Sequence, residues 1–274
     1  MLAWATFLNK PTVPYSRHKI HMHQKAFIQS NKKQLLGAQL AKFALEKHTP
    51  SLSAEIIEVE KTPVFSLTGK TYLRKGKAVS YDPEDLQSFT LTRFMPPALM
   101  DYGGKALVID PDVFAIESVA PLFEMDMHGK RILACPKGGA WDSSVMLLDC
   151  AKLTNWKIQE IIESLITQKL DYADLMTLKD EEVAPLSRVW NSLDTVTPDT
   201  KVLHTTNRLT QPWKTGLPRD FTINPLPKIL GFIPREPIQK LFGKYPTHYQ
   251  PHPNKQIEQF LFKLVKEALE AGAI

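Results

Sequence analysis

The run Ala106-Leu107-Val108-Ile109-Asp110-Pro111-Asp112-Val113-Phe114 confines this chain to few architectures. Four consecutive apolar residues after Gly103-Gly104-Lys105 read as a strand buried on both faces, as in a parallel sheet. Pro111 has no N–H and cannot continue a ladder, so the strand stops at Asp110, and the residue before a proline is held extended. In an open α/β sheet, ligands bind beyond the carboxyl ends of the strands. Asp110 and Asp112 therefore emerge where a substrate would sit. Two hard oxygen donors on a short rigid link suit Mg²⁺ or Mn²⁺, with a substrate phosphate completing the shell. The same residues also suit an Asp-Pro-Asp turn whose carboxylates cap a helix beginning near Glu117.

The remaining pattern is one of alternating strands and helices. Lys25 to Ser30 reads as a first strand. Gln34 to Lys47 reads as a helix with Leu35, Leu36, Leu40, Phe43 and Leu45 mainly on its buried side. Ala54 to Val59 is a second strand, Pro63 to Lys77 a polar excursion, and Asp82-Pro83-Glu84-Asp85 a helix start with proline in its first turn. After the Asp pair the pattern predicts a helix at Glu117 to Glu124 and strands at Arg131 to Cys135 and Ser144 to Leu148. Helices follow at Trp156 to Gln168 and Tyr172 to Leu178. Such alternation implies an α/β sheet of mainly parallel order. Prolines accumulate from Gln211 onward, which predicts an irregular wrap over the core. Asn254 to Ala271 closes the chain as an amphipathic helix with Ile257, Leu261, Leu264, Val265 and Leu269 on one stripe, suited to docking on the core.

Charge placement is more informative than the net +5. Residues 1–50 carry eight Lys and Arg against Glu46 alone, residues 51–200 carry 15 against 23 acids, and residues 201–253 carry eight against two. An acidic middle flanked by basic segments suits a metal held by carboxylates and an anionic ligand gripped from either side, or simply two solvated basic faces. No basic-aromatic ladder or helix-turn-helix spacing accompanies the charge, so nucleic acid is not an expected partner. No apolar run reaches membrane-span length, and Met1 to Leu8 lacks the charged start and length of a signal peptide, so a cytoplasmic location is expected. Cys135 and Cys150, each inside an apolar run, read as reduced core thiols.

A second constellation lies downstream. Lys201 to Thr206 is a short strand carrying His204, followed by Gln211-Pro212-Trp213-Lys214. Histidine adds a borderline nitrogen ligand that, beside two carboxylates, favours Mn²⁺ over Mg²⁺, and Lys214 is placed to neutralise a phosphate near the metal. A histidine at a strand end also occurs simply as a hydrogen-bonded residue.

In order along the chain, Ile28-Gln29-Ser30-Asn31, Arg93, Val108-Ile109-Asp110-Pro111-Asp112, Trp141-Asp142-Ser143-Ser144-Val145, and His204 with Pro212-Trp213 resemble the motifs of the GT-A-fold nucleotide-sugar glycosyltransferases. Within that group the resemblance is to the glycogenin and lipopolysaccharide galactosyltransferase-like family 8 enzymes. It covers roughly residues 25–216, and its force lies in the order and spacing of the motifs.

The resemblance implies an α/β, Rossmann-like GT-A fold: a mixed, mainly parallel sheet flanked by helices, with an irregular Pro-rich C-terminal extension and a terminal helix. It divides the chain into an N-terminal arm (1–24), a transferase domain (25–216) and an extension packed on it (217–274). It further implies Mn²⁺ or Mg²⁺ on Asp110, Asp112 and His204. Ser30, Asn31, Gln34, Arg93 and Lys214 would contact a nucleotide-sugar donor, most simply a UDP-sugar. Asp142 and Asp174 would lie in the sugar pocket, transfer would proceed with retention, and the Pro-rich segment would help shape the site of an unidentified acceptor. Trp141, Trp190 and Trp213 suit either sugar stacking or the core.

The departures are specific. Gln211 replaces the Lys that precedes Pro-Trp in the family, Asp142 and Ser144 replace Asn and Gly, and only Tyr172-Ala173-Asp174 stands in the Asp-Gln-Asp region. Two alternatives remain at this level. One is a haloacid dehalogenase-type phosphatase with Asp110 as nucleophile and Asp112 as acid/base. The other is a GT-A domain that binds nucleotide sugar without turnover.

Overall fold

The computed structural model describes residues 23–221 and 246–274. The expected N-terminal arm, apart from His23 and Gln24, and most of the Pro-rich segment lie outside the described residues. The first half contains β1 (Gln24–Ser30), α1 (Leu35–His48), β2 (Ser53–Glu58), β3 (Thr71–Arg74), β4 (Lys77–Ser80), α2 (Pro96–Leu99), β5 (Lys105–Ile109) and β6 (Val113–Ala115). Then follow α3 (Ala120–Glu124), β7 (Ile132–Lys137), β8 (Ala140–Asp149), α4 (Ile158–Ile166), α5 (Tyr172–Met176), β9 (Val183–Pro185), β10 (Ser192–Leu193), β11 (Val202–His204) and α6 (Lys255–Glu270).

The central sheet has the order β2-β1-β5-β8-β7-β9. β1 runs parallel to β2 and β5, and β7 parallel to β9, while β8 lies antiparallel between β5 and β7. The sheet is thus mixed and mainly parallel, and it is covered on both faces, as its continuous apolar strands require. Side chains alternate: Ile28, Leu107, Ile109, Val145 and Leu147 face the layer made by α1 and α6. Phe27, Ala106, Val108, Met146 and Leu148 face Phe94, Leu153 and Trp156. The α6 helix is capped by Asn254 and docks Ile257, Leu261, Leu264 and Ala268 into the core, leaving Leu269 exposed.

A second, three-stranded sheet builds the site. β6 follows Asp110-Pro111-Asp112 directly and pairs antiparallel with β11, His204 standing opposite Val113. The ladder is extended by Thr205 N–H donating to the Asp112 carbonyl at 3.0 Å. A strand 90 residues downstream therefore brings His204 beside Asp112. β10 lies parallel on the far side of β11.

Several local expectations are corrected. The excursion at 63–77 contains the first strand of the β3–β4 hairpin, turned by Lys75 and Gly76 at φ 54° and 71°. No α-helix follows Asp82. The Asp82 and Asp85 side chains instead accept from the backbone N–H of Glu84 and Gln87 at 2.9 and 2.7 Å, turns that compete with helix, and a 3₁₀ stretch, Ser88–Phe94, comes next. The helix after the Asp pair is confined to Ala120–Glu124, because Glu117 and Val119 donate their N–H groups to Lys201 O and Thr49 Oγ1. β8 begins early, at Ala140, since Gly138 and Gly139, at φ 56° and 80°, form a hairpin turn with β7. The buried face of α1 is made mainly of small residues: Gly37, Ala38, Ala41 and Ala44 are buried with Leu40 and Leu45, while Leu35, Leu36 and Phe43 are only half-buried.

That small-residue face lets α1 approach the Asp-Pro-Asp turn. A Cβ on Gly37 would meet the Pro111 carbonyl oxygen at 2.6 Å and the Trp213 ring at 3.2 Å. Gly37→Ala therefore costs about 1–3 kcal/mol through forced backbone movement, despite alanine's better helix propensity. Gly103→Ala, whose Cβ meets nothing closer than 3.6 Å, is the matched control. Urea denaturation of both variants checks this, and equal stability losses would show that the close approach is unimportant.

Candidate active site

A cleft of about 410 Å³ opens beyond the end of β5 and is lined by Asp110, Asp112, His204, Asp142, Arg93 and Gln34 among others. Its floor is set by one ion pair. Arg93, at the end of the buried 3₁₀ stretch, donates Nε–H to Asp110 Oδ1 at 2.9 Å and Nη2–H to Oδ2, both side chains about nine-tenths buried. Its Nη1 reaches Ser143 Oγ at 2.9 Å and Met176 Sδ at 3.4 Å, tying β5, β8 and α5 together. The guanidinium meets each Asp110 oxygen with one N–H, so the two expected site residues are paired with each other while both still line the cleft.

Asp112 and His204 form the open part of the site. His204 Nε2 lies 3.5 Å from Asp112 Oδ1. The other ring nitrogen, Nδ1, is 2.9 Å from Asn191 Oδ1 and 3.4 Å from Ser144 Oγ. Ser144 Oγ donates to Asp142 Oδ1 at 2.6 Å, and Lys137 and Arg188 flank Asp142 Oδ2 at 3.4 and 3.5 Å. Burial is the largest influence on Asp142, but the Ser144 hydrogen bond and the Lys137 charge outweigh it and hold this carboxyl below its ordinary range. Asp112 goes the other way: burial raises it to about 6, opposed by His204 and reinforced by the charge of Asp110.

The other expected residues divide. Gln34 and Asp142 line the cleft, as does Trp141. Ser30 and Asn31 are buried away from it: the Asn31 carboxamide caps the turn before α1 through Gln34 N–H at 3.0 Å and donates to Ser88 Oγ at 2.9 Å. The Lys214 ammonium points inward to the Lys33 carbonyl at 2.6 Å and to Asp220 and Tyr249 at 3.2 Å each, outside the cleft lining. Asp174 pairs with Lys179 at 3.0 Å, and its neighbours Tyr172 and Ala173 line the cleft instead. Trp190 and Trp213 belong to the core, Trp213 edge-on to Phe114 at 5.1 Å. Both cysteines are free and buried.

Sequence reasoning missed Arg208, Arg74 and Asn191. Arg208 lines the cleft without an ion-pair partner among the described residues, four positions after His204, a spacing that could have flagged it. Arg74 lies 5.0 Å over the Tyr172 ring at the hairpin tip, where Asp171 accepts from Lys75 and Gly76 N–H. Asn191 carries no local signal, since its partners are 13 and 47 residues away.

Among the described residues, no three His, Cys, Asp or Glu side chains converge as a metal cage. Asp112 and His204 nevertheless suit a shared divalent cation. Neighbouring ligands at about 2.1 Å on an octahedral ion stand roughly 3 Å apart, close to the spacing found, and such ions are commonly held by one or two carboxylates plus substrate phosphates.

Two outcomes test this electrostatic arrangement. Arg93→Met strands a buried carboxylate and lowers stability by about 3–5 kcal/mol, whereas Arg93→Met with Asp110→Leu recovers much of that loss. Strictly additive losses in a double-mutant cycle would refute the coupling. In metal-free buffer, the Asp112 contribution is complete below its unfolded value near 3.9 and is lost as pH rises through about 6. Asp112→Asn lacks that loss, so it gains on the parent by up to about 2–3 kcal/mol from acid to neutral pH. Unfolding free energies measured across that range show the crossover or its absence.

No protein-family model matches the sequence, and no curated relative is found. Solved structures match in fold. The glycosyltransferase GlyE of Streptococcus pneumoniae TIGR4 is 15% identical, with a TM-score of 0.52 over 82% of this chain and 65% of that one. The bifunctional glycosyltransferase WbbM is 9% identical, with a TM-score of 0.51 over 72% of this chain and 48% of that one. An active-site mutant of LgtC is 16% identical, with a TM-score of 0.49 over 70% and 89% of the two chains. At these identities the likeness is one of fold: this chain has the GT-A glycosyltransferase fold. No helix among the described residues is long and apolar enough to cross a membrane.

Proposed function

We propose that this GT-A-fold chain is a divalent-metal-dependent glycosyltransferase that moves a sugar from a nucleoside diphosphate sugar, most simply a UDP-sugar, to an acceptor hydroxyl with retention. The observation that carries the reading is the facing pair of Asp112 Oδ1 and His204 Nε2, 3.5 Å apart in a cleft beyond the sheet of a GT-A fold. Asp112 and His204 would hold Mn²⁺ or Mg²⁺, which would draw charge from the departing diphosphate.

The chain's own groups do the rest. Arg208, free of any carboxylate among the described residues, takes the phosphate-facing role first expected of Lys214. Gln34, at the start of α1 and 3.4 Å from Gln211 Nε2, offers a carboxamide to the base or ribose. Trp141, Asp142, Tyr172 and Ala173, on the adjoining β8 and α5, line the cleft and are assigned to the sugar. In transfer, the bond from the anomeric carbon to the phosphate oxygen breaks with its electron pair on the diphosphate. The acceptor oxygen bonds to that carbon on the same face, and its proton passes to the departing diphosphate oxygen. Arg93 and Asp110 act by fixing the floor. Arg93 draws on both Asp110 oxygens, which weakens either one as the nucleophile a phosphatase needs.

The test is a thermal-shift panel of nucleoside diphosphates and their sugars, with and without Mn²⁺, on the parent, Asp112→Ala and His204→Ala. We expect a nucleotide that stabilises only with Mn²⁺, by about 2.7 kcal/mol at a hundredfold excess over Kd, and not in either variant. Stabilisation without donor turnover would favour a binding domain, and no stabilisation by any nucleotide would overturn the proposal.

A further inference from the structure

The network behind His204 has a direction. Asp142 is held as a carboxylate between Lys137 and Arg188, so both its oxygens can only accept. The single hydroxyl proton of Ser144 is spent on Asp142 at 2.6 Å; the alternative contact to His204 Nδ1, at 3.4 Å, is too long to compete. What approaches Ser144 Oγ from Asn191 at 3.1 Å must then be a donor, which places the amide nitrogen there. The other end of the same carboxamide, the carbonyl oxygen, therefore faces His204 Nδ1 at 2.9 Å. A carbonyl oxygen accepts only, so Nδ1 carries a proton, and in a neutral imidazole Nε2 is left with a bare lone pair.

We infer that Asn191 is a positioning residue that holds His204 in its Nδ1–H tautomer and so aims the Nε2 lone pair at a divalent cation shared with Asp112. The inference rests on the reading of Asp112 and His204 as metal ligands. Three further observations support it. Asn191 is completely buried, behind the cleft-lining Asp142, Ser144 and His204, so its carboxamide is reached by protein partners and not by the cleft. Nε2 and Asp112 Oδ1 are two electron-pair donors 3.5 Å apart, an arrangement that calls for a proton or a cation between them. The segment that delivers Asn191 also supplies the Arg188 guanidinium that flanks Asp142, and β10, which follows it, is registered beside β11 with Leu193 opposite His204. Histidine ligands generally donate their second ring N–H to such a partner, and losing it typically costs 10–100-fold in metal affinity. Asp142 then acts as the anchor of the relay as well as a wall of the cleft.

The test has two readouts. The first is the ¹⁵N spectrum of the His204 ring in metal-free protein at about pH 8, above the usual histidine range. The parent is expected to show the Nδ1–H form, and an Nε2–H form would overturn the inference without recourse to any variant. The second is Mn²⁺ binding followed by electron paramagnetic resonance in the presence of UDP. Asn191→Leu, which removes the acceptor, is expected to lose the single tautomer and to bind Mn²⁺ about 10–100-fold more weakly. Asn191→Asp keeps an acceptor for Nδ1–H and is expected to retain the tautomer and to bind within a few-fold of the parent. Ser144→Ala, which removes the group that orients the carboxamide, supplies a milder variant should Asn191→Leu fail to fold, and is expected to mix the tautomers. A parent that binds no Mn²⁺ with UDP would sink the metal reading itself. A parent that binds while Asn191→Leu binds equally well would sink only the role of Asn191.

Discussion

The Arg93–Asp110 pair is the constraint on which the cleft depends. Removing both charges from water is costly, and the cost is met because the guanidinium engages both carboxylate oxygens and spends a further donor on Ser143. Each participant belongs to a different wall: Arg93 lies in the last turn of the buried 3₁₀ stretch, Asp110 directly follows β5, Ser143 sits in β8, and Met176 closes α5. One guanidinium thus fixes where four walls meet. The α1 helix fixes the turn from the other side, because Gly37 lets it rest against the Pro111 carbonyl. Asp112 is held between these supports, with one fifth of its side chain still open to the cleft.

What the sequence discloses is what local chemistry decides. A buried apolar run must be a strand, a proline must end it, and Asn254 before an amphipathic repeat must start a helix, so β5, the Asp-Pro-Asp turn and α6 were all legible. Turns made by Lys75-Gly76 and Gly138-Gly139 carry weaker signals than Asn-Gly or Asp-Gly, so the pattern of residues shows an excursion and a late strand where the structure has two hairpins. The aspartates at 82 and 85 favoured helix by composition but spent their oxygens on neighbouring amides.

The site was legible as residue types and less so as pairings. His204 and Asp112 could be picked as a set because each ends or follows a short apolar strand. Whether Arg93 would face a phosphate or Asp110 is a tertiary matter, decided by a 3₁₀ stretch that no periodicity announced. Lys214 illustrates the same limit: beside Pro-Trp it reads as a phosphate ligand, yet Asp220 and Tyr249, from the ends of the Pro-rich segment, draw its ammonium inward. Burial lowers that ammonium's affinity for its proton, with Asp220 opposing the effect, as befits an interior group.

The division of labour between the two aspartates has a thermodynamic consequence. On the proposed reading, with Asp110 paired to Arg93, Asp112 and His204 would offer a cation two donors, and diphosphate oxygens and water would complete an octahedral shell. Cation and nucleotide would then bind to one another as much as to the chain, and the affinity each gained from the other would be equal by linkage. The metal-free site is itself unfavourable, since burial and the nearby Asp110 charge both oppose ionisation of Asp112. On the proposed reading, a cation bound with its nucleotide would offset that opposition, so the unfavourable empty cleft would favour the loaded one.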